Sequence, residues 1–552
     1  MVQKRFWLLL TCMIYILTLS NNAKAVPSQG HLMLAAGPSP AMIEAVRDIS
    51  RVGGNVIDAA VAAALTLAVT SPYYASLGGG GFALFKMGDK VEALDFRETA
   101  PAATTPTFYS DKAASASVKG GAAVGVPGVP AGLWALHKKY GKLSWKRLFQ
   151  VPLQYAQEGF LVSGEWAELT NEEREQFNNA GRKYFFKPKG VPYRPGERLK
   201  QIALAQALIE FRNKGEEGFY RGAIAQDLIK TIRDTGGVMS MGDLKNYKVR
   251  WLEPISTEFH QHKVFLMPPP SSGGIVLKTA LALSEKLDTE KQKTQSVEEL
   301  HLLGEILSRA FRGRTLLGDP DFHQNPIIYL NSPAYLNELA TSIKLKRATT
   351  LPVVKMPPPE SNQTTHFSII DKDGKAISFT VTLNGNYGSR VVTEHFGIAL
   401  NNEMDDFTTR PGVPNQFGLL QGEGNLVQPG KRPLSSMTPT LVEKNGKIVL
   451  ALGAPGGPRI ISAVFQALYR HLVNGLNIDE AIQAGRVHHQ FLPNKLYIEE
   501  RRFAPETLTS LHARGHVLEF GSVGKVYMVR LNSNGDLEAA FDSRGEGAAG
   551  GI

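Results

Sequence analysis

The chain has one cysteine in 552 residues, Cys12, and it lies in an apolar leader. Beyond residue 25 there is therefore no disulfide, no thiolate metal site and no cysteine nucleophile, and stability has to come from packing. Signatures of other catalytic classes are also missing. No Gly-x-Ser-x-Gly elbow occurs, which disfavours a serine hydrolase. No His-Glu-x-x-His occurs and the His488-His489 pair lacks ligand spacing, so neither metal nor cofactor is assigned. The run Gly78 to Gly81 has no Lys-Ser/Thr after it and leads into a strand pattern, whereas a phosphate cradle opens a helix.

Long apolar runs are equally scarce. Phe6 to Leu19 is shorter than the ~20 residues a membrane-spanning helix needs. With Lys4 and Arg5 before it and Ala23-Lys24-Ala25 after it, the segment reads as a signal peptide over residues 1–25. Thr11 before Cys12 is a poor fit to a lipid-modified cysteine. The expectation is an exported protein, periplasmic or secreted, with no stable membrane span after signal removal. Loss of Lys4, Arg5 and Lys24, and of no acid, takes the formal charge from +10 to +7. That excess is scattered among acids with no aromatic-interleaved basic stripe, which excludes nucleic acid as a partner and suits small anionic substrates. About 527 residues exceed what one core usually supports, so two domains and one large layered domain both stand.

Periodicity predicts helices over Ala41 to Ser50 and Val56 to Val69, the second alanine-rich and buried on several sides. Phe82 to Asp95 predicts paired strands, and helical segments alternate with polar loops from Trp134 to Lys230. Met267 to Gly274 predicts a rigid turn shaping a wall before a helix from Ile275, and Leu300 to Leu317 another helix. Lys344 to Ser361 predicts an exposed, mobile stretch. After it, Thr365 to Ile370 and Ala376 to Leu383 alternate like strands joined by the turn Asp371 to Gly374. A third strand, Ile448 to Gly453, runs through Gly456-Gly457 to a helix from about Arg459. Helices and paired strands segregate into layers, which predicts an α+β sheet sandwich covered by helices.

A Pro-rich segment ending at Gln363, with Thr364 starting a strand, suits a cleavable junction. A threonine hydroxyl needs an adjacent base to act as a nucleophile, and its own α-amino group serves once the preceding bond is cut. Gly456 and Gly457, at a strand-to-helix turn, can aim backbone N–H groups at an oxyanion.

In this order Gly53-Gly-Asn-Val-Ile-Asp-Ala-Ala60, Gly78 to Phe82, Asp95-Phe-Arg-Glu98, Pro268 to Gly274, Thr364-Thr-His-Phe-Ser368, Asn402-Glu-Met-Asp-Asp-Phe407, Arg432-Pro-Leu-Ser-Ser-Met437 and Pro455-Gly-Gly457 resemble the γ-glutamyltranspeptidase (glutathione hydrolase) family of N-terminal-nucleophile hydrolases. The resemblance implies a four-layer αββα sandwich built jointly by a large subunit, residues 26–363, and a small subunit, residues 364–552, after self-cleavage at Gln363-Thr364. It implies Thr364 as nucleophile, Thr382 as its hydrogen-bonding support, and Gly456 and Gly457 as the oxyanion hole. Arg97, Ser435 and Ser436 would hold the α-carboxylate of a γ-glutamyl group, and Asn384, Glu403 and Asp406 its α-amino group. Partners would be glutathione, other γ-glutamyl compounds, and amino acid or peptide acceptors. Glu403 stands where several bacterial relatives have Gln. Residues 411–422 match a lid loop in which Phe417 replaces the usual tyrosine, removing one hydrogen bond. Two rival readings are a cephalosporin (glutaryl) acylase of the same superfamily, disfavoured because Glu403 and Asp406 would face nothing cationic, and a non-catalytic exported binding protein. In isolation Arg97-Glu98 also reads as a surface ion pair, Asp405-Asp406 as a solvated turn, and Ser435-Ser436 as a helix cap.

Overall fold

Every residue from Val56 to Thr70 is buried. An alanine-rich stretch of that kind can form only the inner helix of a layered protein, and its start is fixed by a capping box in which Asn55 and Asp58 satisfy each other's backbone N–H groups. The computed structural model describes residues 27–352 and 364–552; the predicted leader, residues 1–25, and Gln363 lie outside the described residues.

Before position 364 the chain contributes strands β1 (Ser28–Gly30), β2 (Met33–Gly37), β3 (Gly80–Lys86), β4 (Val91–Phe96), β5 (Arg250–Leu252), β6 (Ile255–Phe259) and β7 (His262–Leu266). After it come β8 (Thr365–Asp371), β9 (Ala376–Thr382), β10 (Thr440–Lys444), β11 (Lys447–Gly453), β12 (Tyr527–Leu531), β13 (Leu537–Phe541) and β14 (Ala548–Gly551). They form two seven-stranded sheets, in the orders β1-β13-β12-β11-β10-β7-β6 and β14-β2-β8-β9-β3-β4-β5. Each sheet mixes strands from both sides of position 364.

Helices α1 (Pro40–Arg51) and α2 (Val56–Thr70) cover the second sheet. Of the helices beyond β7, α3 (Gly273–Lys286), α5 (Arg459–Leu472) and α6 (Ile478–Gln483) cover the first, with α4 (Val297–Arg314) packed on α3. The sheets face each other, completing the expected α+β four-layer order. Alternation along β8 and β9 divides the two cores. Phe367, Ile369, Phe379 and Val381 pack toward α1 and α2, whereas Ile370 and Ala376 pack toward the first sheet.

Between the sheets the intervening positions are polar and bonded. His366 pairs with Thr380 and Ser368 at 2.8 and 2.9 Å, and Ser378 donates to Leu452 O at 2.9 Å. Burial pushes the His366 imidazole down to about 3, so it is neutral. Thr364 and Thr382 continue this row to the strand ends.

The predicted helices and strands from Ala41 onward are found within a few residues of their expected bounds. Residues 344–347 are exposed as expected, but the stretch is tied down: Ala348 is buried, His301 bonds Lys344 O, Ala348 N donates to Arg514 O at 2.7 Å, and Thr349 bonds Glu305. The backbone of Lys344 and Ala348 and the hydroxyl of Thr349 find partners on α4 and in the C-terminal part of the chain. Residues 353–361 of that stretch lie outside the described residues.

The turn behind Gly456-Gly457 is braced by Asp542, which is buried and ion-paired with both Arg486 and Arg544. Arg486 Nη2 donates to Asp542 Oδ2 at 2.5 Å and to Gly524 O at 2.9 Å, while its Nε donates to Val523 O at 2.9 Å. That loop is close enough to Gly456 that a Cβ there would meet Gly524 Cα at 3.1 Å. Asp542→Ala would strand a buried guanidinium, and denaturant unfolding is expected to show a loss of about 3–5 kcal/mol. A loss below about 1 kcal/mol would mean that the backbone carbonyls suffice.

Candidate active site

Strand order gathers one half of the site. Along β8-β9-β3-β4 the register pairs Thr365 with Val381, Thr382 with Gly80, and Gly81 with Phe96. Thr364, Thr382 and Arg97 therefore leave the second sheet at the same end. Thr364 Oγ1 and Thr382 Oγ1 are hydrogen-bonded at 3.2 Å, and Thr382 Oγ1 also accepts from Asn384 N at 2.8 Å. The glycine run is needed here for close approach: a Cβ on Gly80 would lie 2.4 Å from Glu98 Oε2.

The first sheet supplies the facing half. The turn expected to shape a wall braces one from behind and contributes no lining residue itself: Ser435 N donates to Pro270 O, Ser272 N to Ser435 O, and Ser271 Oγ to Met437 O. These bonds hold Ser435 and Ser436 in extended chain ahead of β10, not at a helix cap. From the end of β11, Gly456 and Gly457 lead into α5 with φ of +136° and +53°, the second in the left-handed region that favours glycine.

A short 3-10 turn, Glu403–Asp406, joins the halves electrostatically. Arg97 Nη1 bonds Glu403 Oε1, and its Nη2 donates to Asp406 Oδ2 at 2.5 Å. The readings of Arg97-Glu98 as a surface pair and of Asp405-Asp406 as a solvated turn are overturned, since all four are buried. The groups expected at opposite ends of a ligand head group here bond one another directly. Burial opposes the Arg97 charge, but Glu403 and Asp406 outweigh it and hold the guanidinium above its ordinary range. One guanidinium serves several carboxylates, so burial pushes Glu403 and Asp406 up, Arg97 opposing both shifts. Glu98, its Oε2 3.8 Å from Arg97 Nη1, is pushed up to about 8, chiefly by burial.

A narrow pocket of about 20 Å³ opens between these parts. Its lining includes Thr364, Thr382, Arg97, Asn384, Glu403, Asp406, Ser435, Ser436 and Gly457, which leaves Gly456 as the predicted site residue standing just behind the wall. Glu403 Oε2 and Ser436 Oγ are buried there without a hydrogen-bond partner. Phe417 belongs to the wall, where a Cβ on Gly457 would meet its ring at 3.0 Å. Without a phenolic hydroxyl, its loop is seated by other bonds: Gln416 N donates to Asp405 Oδ2, Leu419 N to Asn415 Oδ1, and Gln490 Nε2 to the Phe417 and Gly418 carbonyls. Sequence reasoning missed Arg314, Leu419, Met437 and Ile460. Arg314 ends an amphipathic helix, where a basic residue is ordinary, so nothing in the pattern marked it.

No group of three or more potential metal ligands occurs among the described residues. His488 bonds Ser462 and Gln490, and His489 bonds Asn494. No described helix is long and apolar enough to cross a membrane.

Two facing antiparallel sheets under helices, with a threonine at the head of an inner strand, define an enzyme of the N-terminal-nucleophile hydrolase type. The fold matches that of cephalosporin acylase from Bacillus halodurans with a TM-score of 0.85 at 24% identity, covering 97% of this chain and 98% of that one. The sequence model of gamma-glutamyltranspeptidase matches residues 43–552, and the chain belongs to that family. It is 39% identical to the glutathione hydrolase proenzyme of Pseudomonas aeruginosa over 97% of each chain. It is also 39% identical to that of Escherichia coli, covering 90% of this chain and 88% of the relative. Helicobacter pylori gamma-glutamyltranspeptidase aligns with a TM-score of 0.55 at 32% identity, covering 60% of this chain and 95% of that one.

The buried carboxyl beside Arg97 gives a pH signature. Its pKa is higher in the fold than the ordinary 4.5, so its contribution is full below 4.5 and is lost as pH rises toward about 8. Glu98→Gln should flatten the decline in unfolding free energy across that window. Parallel profiles for wild type and variant would show that Glu98 titrates normally.

Proposed function

We infer that the chain is a γ-glutamyltransferase and glutathione hydrolase that cuts itself between Gln363 and Thr364. The observation that carries this reading is one pocket holding the Thr364 hydroxyl together with two guanidinium and two carboxyl groups. That combination matches an acyl donor whose far end bears both a carboxylate and an ammonium.

In maturation the Thr364 hydroxyl attacks the Gln363 carbonyl carbon. The peptide C–N bond breaks, an ester forms, and water cleaves it to leave a carboxylate on Gln363 and a free amine on Thr364. Catalysis reuses the same oxygen. The amine of Thr364 takes the hydroxyl proton as Oγ1 attacks the γ-carbonyl of glutathione or another γ-glutamyl amide, and backbone N–H groups of Gly456 and Gly457 hold the oxyanion. The leaving amine is protonated, and a γ-glutamyl ester remains on Thr364. Water then yields glutamate, or an amino acid or peptide amine yields a new γ-glutamyl compound. Thr382, bonded to Thr364 Oγ1, keeps that oxygen aimed. Arg97, Ser435 and Ser436 take the donor's α-carboxylate, and Asn384, Glu403 and Asp406 its α-ammonium. Residues 26–363 and 364–552 form the large and small subunits of a heterodimer, exported after loss of residues 1–25.

The acylase reading draws on the extensive fold match, but a glutaryl side chain has no ammonium. Once Arg97 turned to its carboxylate, no cationic group of the ligand would replace Arg97 at Glu403 and Asp406. The binding-protein reading requires no cut.

Purified protein is expected to run as two bands, with the smaller beginning Thr-Thr-His-Phe on N-terminal sequencing. Thr364→Ala should remain a single chain and lose roughly a thousandfold or more in turnover of a γ-glutamyl anilide. A preference for the glutaryl anilide would make the protein an acylase. An uncut wild type indistinguishable from Thr364→Ala would make it a binding protein.

A further inference from the structure

Arg314, the last residue of α4, is 2% exposed and lines the pocket with Arg97 and Asp406. Its Nη1 donates to Gln421 Oε1 at 3.0 Å, while its Nε is buried without a hydrogen-bond partner. Burial lowers its pKa to about 10, Asp406 opposing the shift and Arg97 adding to it, so the group stays charged near neutrality. A tie to a neutral glutamine does not need a charge. A buried guanidinium held by one neutral acceptor is costly unless something anionic compensates it.

Four ionisable side chains line this pocket, and with both carboxyls ionised Arg97 and Arg314 balance Glu403 and Asp406. Arg97 is bonded to both carboxylates, so it can turn to a ligand carboxylate only when something else neutralises them. A head group bearing an ammonium and a carboxylate brings no net charge. Its ammonium can take over Glu403 and Asp406 while its carboxylate takes Arg97, and the pocket stays neutral throughout. Without Arg314 the same pocket would carry an extra negative charge, which repels the incoming carboxylate and favours the ammonium.

We propose that Arg314 is a specificity-determining residue of the donor pocket, its charge offsetting Asp406 so that Arg97 is free to receive the donor's α-carboxylate. This rests on the donor-site reading proposed above. Wild-type turnover of γ-glutamyl anilide tests that reading separately, because its absence would sink the donor site whatever Arg314 does.

The test compares γ-glutamyl, glutaryl and 4-aminobutanoyl anilides, each as a substrate or, where turnover is slow, as a competitive inhibitor of γ-glutamyl anilide. The variants are Arg314→Gln, Arg314→Met, Arg314→Lys and Gln421→Ala, all checked for cleavage into two fragments. Removing the charge should raise KM for the γ-glutamyl donor by about tenfold or more, with kcat changed less. Binding of the glutaryl compound should weaken at least as much, and that of the 4-aminobutanoyl compound should hold or improve. Arg314→Lys should recover most of the loss, and Gln421→Ala should not reproduce it. Equal losses on all three ligands, or a Gln421→Ala variant matching Arg314→Gln, would reduce Arg314 to a tie for its loop and overturn the proposal. So would failure of both neutral variants to mature while Arg314→Lys matures, since the charge would then serve folding and not selection.

Discussion

Pairing of β8 with β9, in the register that sets Thr365 against Val381, constrains nearly everything else in the molecule. Both strands are buried on both faces, one against helices and the other against a second sheet. A slip of one residue would turn Phe367 and Ile369 toward the polar ladder and press His366 and Ser368 into the apolar helix layer. The cost of burying those unpaired polar groups fixes the register. With it fixed, Thr364 and Thr382 fall opposite each other at the strand ends.

The pocket above that pair is held by a different physics. Arg97 is shared by Glu403 and Asp406 with Glu98 close by, an arrangement that burial penalises for every member. Such a cluster is poor evidence for stability, since buried ion pairs often do no better than well-packed apolar side chains. Its retention makes sense if a ligand completes it. The unpartnered Glu403 Oε2 and Ser436 Oγ belong to residues lining the same pocket, so some polar capacity left unused by the fold lies where a charged head group would sit.

Much of this was legible in the sequence because local chemistry and global fold agree. The alanine run announces burial, and Gly456-Gly457 announce a strand-to-helix turn. The site residues were legible only as a set. Arg97, Asp406 and Ser436 each look ordinary alone, and their motifs gain meaning from their order along the chain. What stayed hidden depends on partners distant in sequence. Arg314 reads as a helix-end basic residue until its helix is packed under residues 411–422, and the anchoring of Ala348 and Thr349 is invisible until Glu305 and Arg514 are brought to them. The polar positions of β8 show the same limit: alternation reveals two faces, but not that His366 and Ser368 point at another sheet instead of water.

The mixing of strands also bears on how a cut chain would behave. A break before Thr364 removes no ladder hydrogen bond, because the pairing of β8 with β9 begins at Thr365. Each fragment would keep strands in both sheets: β2 lies between β14 and β8, and β3 between β9 and β4. Separating the fragments would expose both cores and break ladders in each sheet at once, a far larger penalty than the chain entropy released by one severed bond. Cleavage at that point would therefore leave the architecture intact and change one thing locally, replacing an amide nitrogen beside the Thr364 hydroxyl with an amine able to accept its proton.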